Sequence, residues 1–178
     1  MRSARFELVT RRLVIRQLDA GLAGSIHAGS LDEDNRWFMP DEVFESAEEA
    51  SAAIRQLMAF YETMDGPLVY AVFLKDNTHI GHVEAVPMDG GRWEVGYHII
   101  KAFTGCGFAT EAVAAFVPVI LRRLRISLIE GNCDARNTAS CRVLEKCGFS
   151  LVFDGIADHQ GRRAAVRKYA FTQTCPAP

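Results

Sequence analysis

Trp93-Glu94-Val95-Gly96-Tyr97-His98-Ile99-Ile100-Lys101-Ala102-Phe103-Thr104-Gly105-Cys106-Gly107-Phe108-Ala109-Thr110-Glu111-Ala112 changes character twice within twenty residues. Its first part, Trp93 to Ile100, has the period of a strand, and Gly105-Cys106-Gly107 breaks it. A helix from about Phe108 to Leu124 follows. A strand feeding a Gly-x-Gly turn that opens a helix leaves backbone N–H groups unpaired. It also aims the helix dipole at one point, and the two together bind phosphate. Gly105 and Gly107 let the backbone approach an anion closely, although a plain tight turn has the same spacing. The loop lacks the Gly-Lys-Ser/Thr ending of a P-loop and the third glycine of a dinucleotide fingerprint, which excludes those two readings.

Working outward, Leu13 to Arg16 reads as a strand, and Asp19 caps a helix running to about Ser30. The segment from Leu31 to Glu45 reads as a loop whose aromatics, Trp37, Phe38 and Phe44, either wall a pocket or pack down. Ser46-Ala47-Glu48-Glu49 is a capping box opening a helix with Ile54, Leu57, Met58 and Tyr61 on its core face. Leu68 to Leu74 and Ile80 to Val86 flank the hairpin turn Lys75-Asp76-Asn77-Thr78. A strand from Ser127 to Cys133 and a helix from about Thr138 to Cys147, stopped by Gly148, come after the glycine loop. Strands Phe149 to Phe153 and Ala164 to Phe171 then bracket a turn at His159-Gln160-Gly161. The order β-α-α-β-β-β-α-β-α-β-β specifies a mixed α/β sheet carrying helices. Pro118, inside the helix after the loop, removes a bond to Ala114 and is expected to kink it.

The 178 residues suit one domain, spanning 1–178, with a loose tail at Thr174 to Pro178. A net charge of −2 with interspersed signs offers no basic stripe for nucleic acid. The five cysteines are odd in number, with no Cys-x-x-Cys and no histidine at zinc spacing, so neither a disulfide framework nor a structural metal is indicated. A reduced, cytoplasmic setting fits this usage. The charged start, Met1 to Glu7, has no apolar signal region, and the longest apolar run, Ala112 to Leu121, is too short for a bilayer.

A second informative stretch is Asn137-Thr138-Ala139-Ser140 followed by Glu145-Lys146-Cys147-Gly148-Phe149. Read alone, it describes an ordinary capped helix. Together with Glu94-Val95-Gly96-Tyr97, Thr104-Gly105-Cys106-Gly107-Phe108-Ala109, Thr110-Glu111-Ala112 and the opening Thr10-Arg11-Arg12-Leu13-Val14-Ile15-Arg16, it resembles the GNAT superfamily of N-acetyltransferases. The likeness is greatest to the ribosomal-protein alanine N-acetyltransferase-like branch and covers roughly residues 8 to 171. It implies a GNAT-like acyl-CoA N-acyltransferase fold, with a mostly antiparallel sheet splayed at the cofactor site and helices on both faces. It also implies acetyl-coenzyme A as co-substrate and no metal. The pantetheine is expected along Tyr97, His98, Ile99 and Ile100, and the pyrophosphate on the N–H groups of Thr104, Gly105, Cys106, Gly107, Phe108, Ala109 and Thr110, with Asn137 and Ser140 close by. Two positions depart from the family: Thr104, where Gln or Arg is usual, and Leu144, where many relatives carry a tyrosine that protonates the leaving thiolate.

The implied chemistry is direct attack of a primary amine on the thioester. At pH 7, deprotonating an α-amine costs about 1 kcal/mol and a lysine about 4–5 kcal/mol. Glu94 is the candidate base, the alternative being an ion pair with Arg92; Glu84 and His82 are lesser candidates. His98 shares a face with Glu94 if the strand carries no bulge. Ser140 is the candidate acid, an aid only, because a thiolate leaves tolerably without full protonation. Cys133 either sits near the same sulfur or is an inert packing residue. The acceptor is expected to meet residues Asp34 to Phe44 and the His159 turn. Asp32, Glu33, Asp34, Asp41 and Glu42 describe either a cationic acceptor's site or a solvated acidic face. The acceptor itself is a protein N-terminus or a small molecule such as an amino acid, polyamine or antibiotic. A non-catalytic acyl-coenzyme A sensor is the alternative from another class. A monomer or homodimer is expected.

Overall fold

The computed structural model describes residues 6–173; the expected tail at Thr174 to Pro178 and most of the charged start lie outside them. Strands β1 (Glu7–Val9) and β2 (Leu13–Gln17) come first, followed by helix α1 (Ala23–Ser30) behind a 3₁₀ turn in which Asp19 accepts the Gly21 N–H. Helix α2 (Glu33–Phe38) and a 3₁₀ turn at Pro40–Glu42 occupy the segment expected to be a loop. Asp32 explains the helix: its carboxylate accepts the Asn35 N–H at 3.0 Å, and Glu33 and Asp34 complement the first-turn dipole. Six residues without an apolar period leave too little pattern to signal such a helix in sequence.

Helix α3 (Ala47–Thr63) starts at Ser46, whose hydroxyl accepts the Glu49 N–H at 3.1 Å while the Glu49 carboxylate reaches back to the Glu45 N–H. Its buried stripe is narrower than expected. Ile54 and Tyr61 are buried and Leu57 packs beside them, but Met58 is 38% exposed. Strands β3 (Leu68–Leu74), β4 (His79–Met88) and β5 (Arg92–Ile99) form a meander. Helix α4 (Phe108–Leu124) runs as one element through Pro118. Strand β6 (Leu128–Asp134), helix α5 (Thr138–Lys146), and the hairpin β7 (Ser150–His159) and β8 (Arg162–Thr172) complete the chain.

One sheet holds all eight described strands in the order β1-β2-β3-β4-β5-β6-β8-β7. The near-continuous apolar run of β3 is covered on both faces. Leu68, Tyr70 and Val72 enter the core beneath α4, whereas Val69, Ala71 and Phe73 enter a second core with Leu22 and Ile54 of the α1/α3 side. No described helix is long and apolar enough to cross a membrane.

Candidate active site

Every strand pairing is antiparallel except that of β5 with β6, and there the parallel register holds for a single pair, Glu94 with Glu130. At that point the Glu94 carboxylate accepts the Asn132 N–H at 3.2 Å. Beyond it the sheet forks, and a cavity of about 750 Å³ lies against Glu84, Glu94, Tyr97, Asn132 and Ser140. Arg92 pairs with Glu130 at 3.2 Å, so the alternative of a Glu94–Arg92 pair does not form. Register between β4 and β5 is continuous from Gly81–Ile99 to Met88–Arg92, without a bulge. Glu94, Gly96 and His98 therefore share one face, and Val95, Tyr97 and Ile99 the other. Burial lifts the Glu94 carboxyl above its ordinary range, opposed by its hydrogen bonds to Asn132.

The glycine loop stands at one end of the fork. Gly105 and Gly107 have φ of 78° and 77°, the left-handed region that favours glycine. Helices α2, α3 and α5 are capped by the side chains of Asp32, Ser46 and Asn137, whereas α4 begins at Gly107 with no side-chain cap. Its first-turn N–H groups have no side-chain acceptor among the described residues, and Gly105, Gly107, Phe108, Ala109 and Thr110 line the cavity. Arg142 and Lys146, both exposed, line it as well. Two of the residues expected at the cofactor are not among those lining it. Ile100 lines a separate hollow of about 30 Å³ beside Gly81 and His82, and exposed Cys106 uses its carbonyl to accept Arg12 Nη1 at 2.9 Å. Thr104 lines the cavity with its hydroxyl turned away, donating to the Lys101 carbonyl at 2.9 Å.

A strut that neither motif announces by itself stands behind this loop. Glu111 accepts hydrogen bonds from Thr10 Oγ1 at 2.7 Å, the Arg12 N–H at 2.8 Å and Arg12 Nε at 2.6 Å. Arg12 also lies over the Phe108 ring, 4.5 Å from its centroid. The opening Thr10 to Arg16 motif and the Thr110 to Ala112 motif, about a hundred residues apart, are thus one structural unit. Their joint presence in the sequence was the available signal.

On the α5 side, Asn137 Oδ1 accepts the Ser140 N–H at 3.1 Å. The Ser140 hydroxyl lies 2.8 Å from the Tyr97 hydroxyl, which also donates to the Ser140 carbonyl at 3.0 Å. Leu144 is 1% exposed, and a Cβ at Gly131 would stand 2.8 Å from its Cδ2, so this position is filled with hydrocarbon. Cys133 is buried 3.2 Å from Cys141 Sγ while still touching the cavity. Burial pushes its thiol pKa up, away from reactivity.

The opposite face carries titratable groups. His82 Nε2 lies 3.1 Å from Glu42, and His98 Nε2 lies 3.9 Å from Asp32. Ligand atoms of Glu42, His82 and Glu84 all fall within 4.8 Å of one another, a spacing open to any small cation. Burial and the neighbouring Glu42 raise the Glu84 carboxyl to about 7. Burial and the neighbouring His82 lower His98 to about 4. Burial alone would lower His82, but its contacts with Glu42 outweigh it and leave the imidazole raised. Asp34 is tied to Lys101, and Asp32, Asp34, Asn35, Phe38, Met39, Glu42, His159 and Gln160 wall the cavity here. Gln160 Nε2 donates to the Phe38 carbonyl at 2.7 Å and Arg162 to the Trp37 carbonyl at 3.2 Å, latching the β7–β8 turn onto α2.

A family model described as an acetyltransferase (GNAT) domain matches residues 12–150. The uncharacterised N-acetyltransferase YoaA of Bacillus subtilis is 32% identical over 146 residues, covering 80% of this chain and 81% of that protein. Among solved structures, the ribosomal alpha-N-protein acetyltransferase RimL in complex with coenzyme A superposes with a TM-score of 0.80 at 20% identity, over 94% of this chain and 98% of that one. The microcin self-immunity acetyltransferase MccE, in complex with acetyl-CoA and AMP, does so with 0.78 at 16% identity, over 92% and 94%. At such identities the structures speak for the fold, while the family match and the Bacillus relative speak for the chemistry. The family model spans most of the chain, and with the Bacillus relative it shows an acetyl-CoA-dependent acetyltransferase: the chain belongs to the GNAT family.

Proposed function

We propose that the chain transfers acetyl from acetyl-CoA to a primary amine by direct attack, with the amine entering on one face of the fork and the thiolate leaving on the other. The single observation behind this reading is the one-pair register of β5 and β6, which opens the sheet between Glu94 and Asn132. Acetyl-CoA supplies the acetyl thioester. The uncapped first turn of α4 with Gly105 and Gly107 fits its pyrophosphate, and Asn132 Oδ1, buried without a donor among the described residues, fits an amide N–H of its pantetheine arm.

Leu144 supplies no proton, and Tyr97 takes over that place from the neighbouring strand. Its hydroxyl turns its proton from the Ser140 carbonyl to the departing sulfur while the Ser140 hydroxyl donates to the Tyr97 oxygen, so that Ser140 acts together with Tyr97. The carboxylates Glu94 and Glu84 stand on the other face, where the amine enters and loses its proton. The latch between α2 and the β7–β8 turn covers that wall, which favours an amine presented end-on, as a peptide N-terminus or a compact small molecule, over a peptide laid along a strand edge.

The test is release of free thiol from acetyl-CoA with N-terminal peptides, amino acids, polyamines and aminoglycosides as acceptors. Turnover on one class is expected and names the acceptor. Tight acetyl-CoA binding with no thiol release from any amine would instead support the sensor reading.

A further inference from the structure

The two carboxylates on the amine face differ in what holds them. Glu94 is engaged by the Asn132 N–H, at the last paired residue before the fork. Glu84 lies diagonally across from it, opposite Gly96. A Cβ at position 96 would collide with the Glu84 carboxylate and stand 2.8 Å from its Cγ, so the side chain lies flat over bare glycine backbone, reaching toward the fork. Burial acts on it first, and then the charges of Glu42, His82 and Glu94; among the described residues no hydrogen bond to its carboxylate is formed.

Lys101, Arg136, Arg142 and Lys146 line the same cavity, and Lys168 acts on Glu94 from a distance, but none of them is bonded to either carboxylate among the described residues. Glu42 shares His82, and Asp32 approaches His98, an imidazole that stays neutral in the neutral range. Glu84 and Glu94 add negative charge with no basic side chain bonded to either. Glu84 compensates by keeping a proton to about pH 7. Asn35, 3% exposed and lining the same cavity, gives both its Nδ2 bonds to the carbonyls of Ser30 and Glu42, leaving Oδ1 a buried acceptor without a donor. The Glu84 carboxyl and the Asn35 Oδ1, both without a donor among the described residues and flanked by Glu42 and Glu94, describe a site for a group rich in N–H and positively charged.

We infer that Glu84, backed by Glu42 and His82, binds the acceptor's ammonium and takes its proton, and that acceptors are primary amines with no carboxylate on the amine-bearing carbon. Glu94 is then a positioning residue that holds the fork open. The assignment rests on the acetyl-transfer reading above. An ammonium gives one proton to the Glu84 carboxylate, which passes it to solvent. The nitrogen lone pair forms the C–N bond as the C–S bond breaks, and the second proton ends on the sulfur. An ammonium and acetyl-CoA thus become an acetamide, free thiol and one released proton. A carboxylate beside the amine would face Glu84, Glu42 and Glu94 together, and like charges at that range repel.

Thiol release by wild type, Glu84→Gln and Glu94→Gln is measured from pH 5.5 to 9 with alanine amide and with alanine, alongside calorimetric binding of acetyl-CoA as a check on folding. Wild type is expected to favour the amide at least about tenfold in kcat/KM. Glu84→Gln is expected to bind acetyl-CoA normally, to lose about 100-fold in kcat/KM at pH 7, to lose the activity limb near pH 7, and to narrow the preference for the amide. Glu94→Gln keeps that limb. A Glu84→Gln enzyme within about threefold of wild type with the limb intact would overturn the assignment, as would equal use of alanine and its amide. Wild-type activity abolished by a chelator and restored by a divalent ion would overturn it too, making the three clustered donors metal ligands. Absence of thiol release by wild type from any amine would remove the transfer reading and this assignment with it.

Discussion

Replacing Glu111 with Gln tests whether the opening motif and the glycine loop are one mechanical unit. The Glu111 carboxylate accepts three hydrogen bonds, two of them from Arg12. Glutamine keeps an oxygen for Thr10 and the Arg12 N–H, but it sets an NH₂ against Arg12 Nε, two donors facing each other. Losing a charge-assisted bond costs about 1.5–3 kcal/mol, and the 41% exposure of the Arg12 side chain argues for about 2 kcal/mol. For a chain of this length that is a fall in Tm of about 4–8 °C. Burial alone would raise the Glu111 carboxyl, but the bonds from Thr10 and Arg12 hold it below its ordinary value of 4.5. Its contribution is therefore present above that pH and fades as pH falls, so the gap between wild type and variant should close in acid. Because Arg12 Nη1 also holds the Cys106 carbonyl, acetyl-CoA affinity should drop severalfold in the same variant. Calorimetric unfolding from pH 3.5 to 7 and acetyl-CoA titration read both effects. A Tm within about 1 °C of wild type together with unchanged affinity would refute the strut.

Three further outcomes are expected. Thr104→Arg places a guanidinium where the present hydroxyl is spent on Lys101, and should tighten acetyl-CoA binding about three- to tenfold at low salt, an advantage that salt removes; equal affinity at all ionic strengths would count against a pyrophosphate at this loop. Tyr97→Phe should slow thiol release by about 10- to 100-fold, and a thioester with a more acidic thiol should recover most of the loss; an equal deficit with both would deny Tyr97 the acid's role. His79 and His98, each lowered to about 4 chiefly by burial, stay neutral when folded while the unfolded chain takes up protons below about 6.5. Stability should then fall as pH drops from about 6.5 to about 4, and denaturant midpoints that stay flat across this window, or a His98→Gln variant with the same slope as wild type, would contradict it.

The backbone of the candidate site was legible in sequence. Gly105 and Gly107 announce positive φ, and the strand before them and the helix after them place that turn without any distant contact. Asn137 as cap, Ser46 with Glu49, and the two-residue period of β3 to β5 are likewise local, set by hydrogen bonds and side-chain alternation within a few residues. By contrast, α2 rests on one capping aspartate and contacts with its surroundings, and six residues give no period to read. Met58 sits at a helical spacing that suits a core, yet the neighbouring elements do not reach it.

Local sequence carries most of the strands and helices, the positive-φ glycine turn and the family pattern, but not β1 or α2, since propensity, capping and periodicity act between near neighbours. The tertiary structure alone decided which charges meet. It joined Arg12 to Glu111 across 99 positions, took Arg92 from Glu94 and gave it to Glu130, and stacked Glu84 on Gly96 beside Glu42 and His82. A side chain's partners and its proton affinity depend on burial and on charges brought from distant segments, and those exist only once the chain has folded.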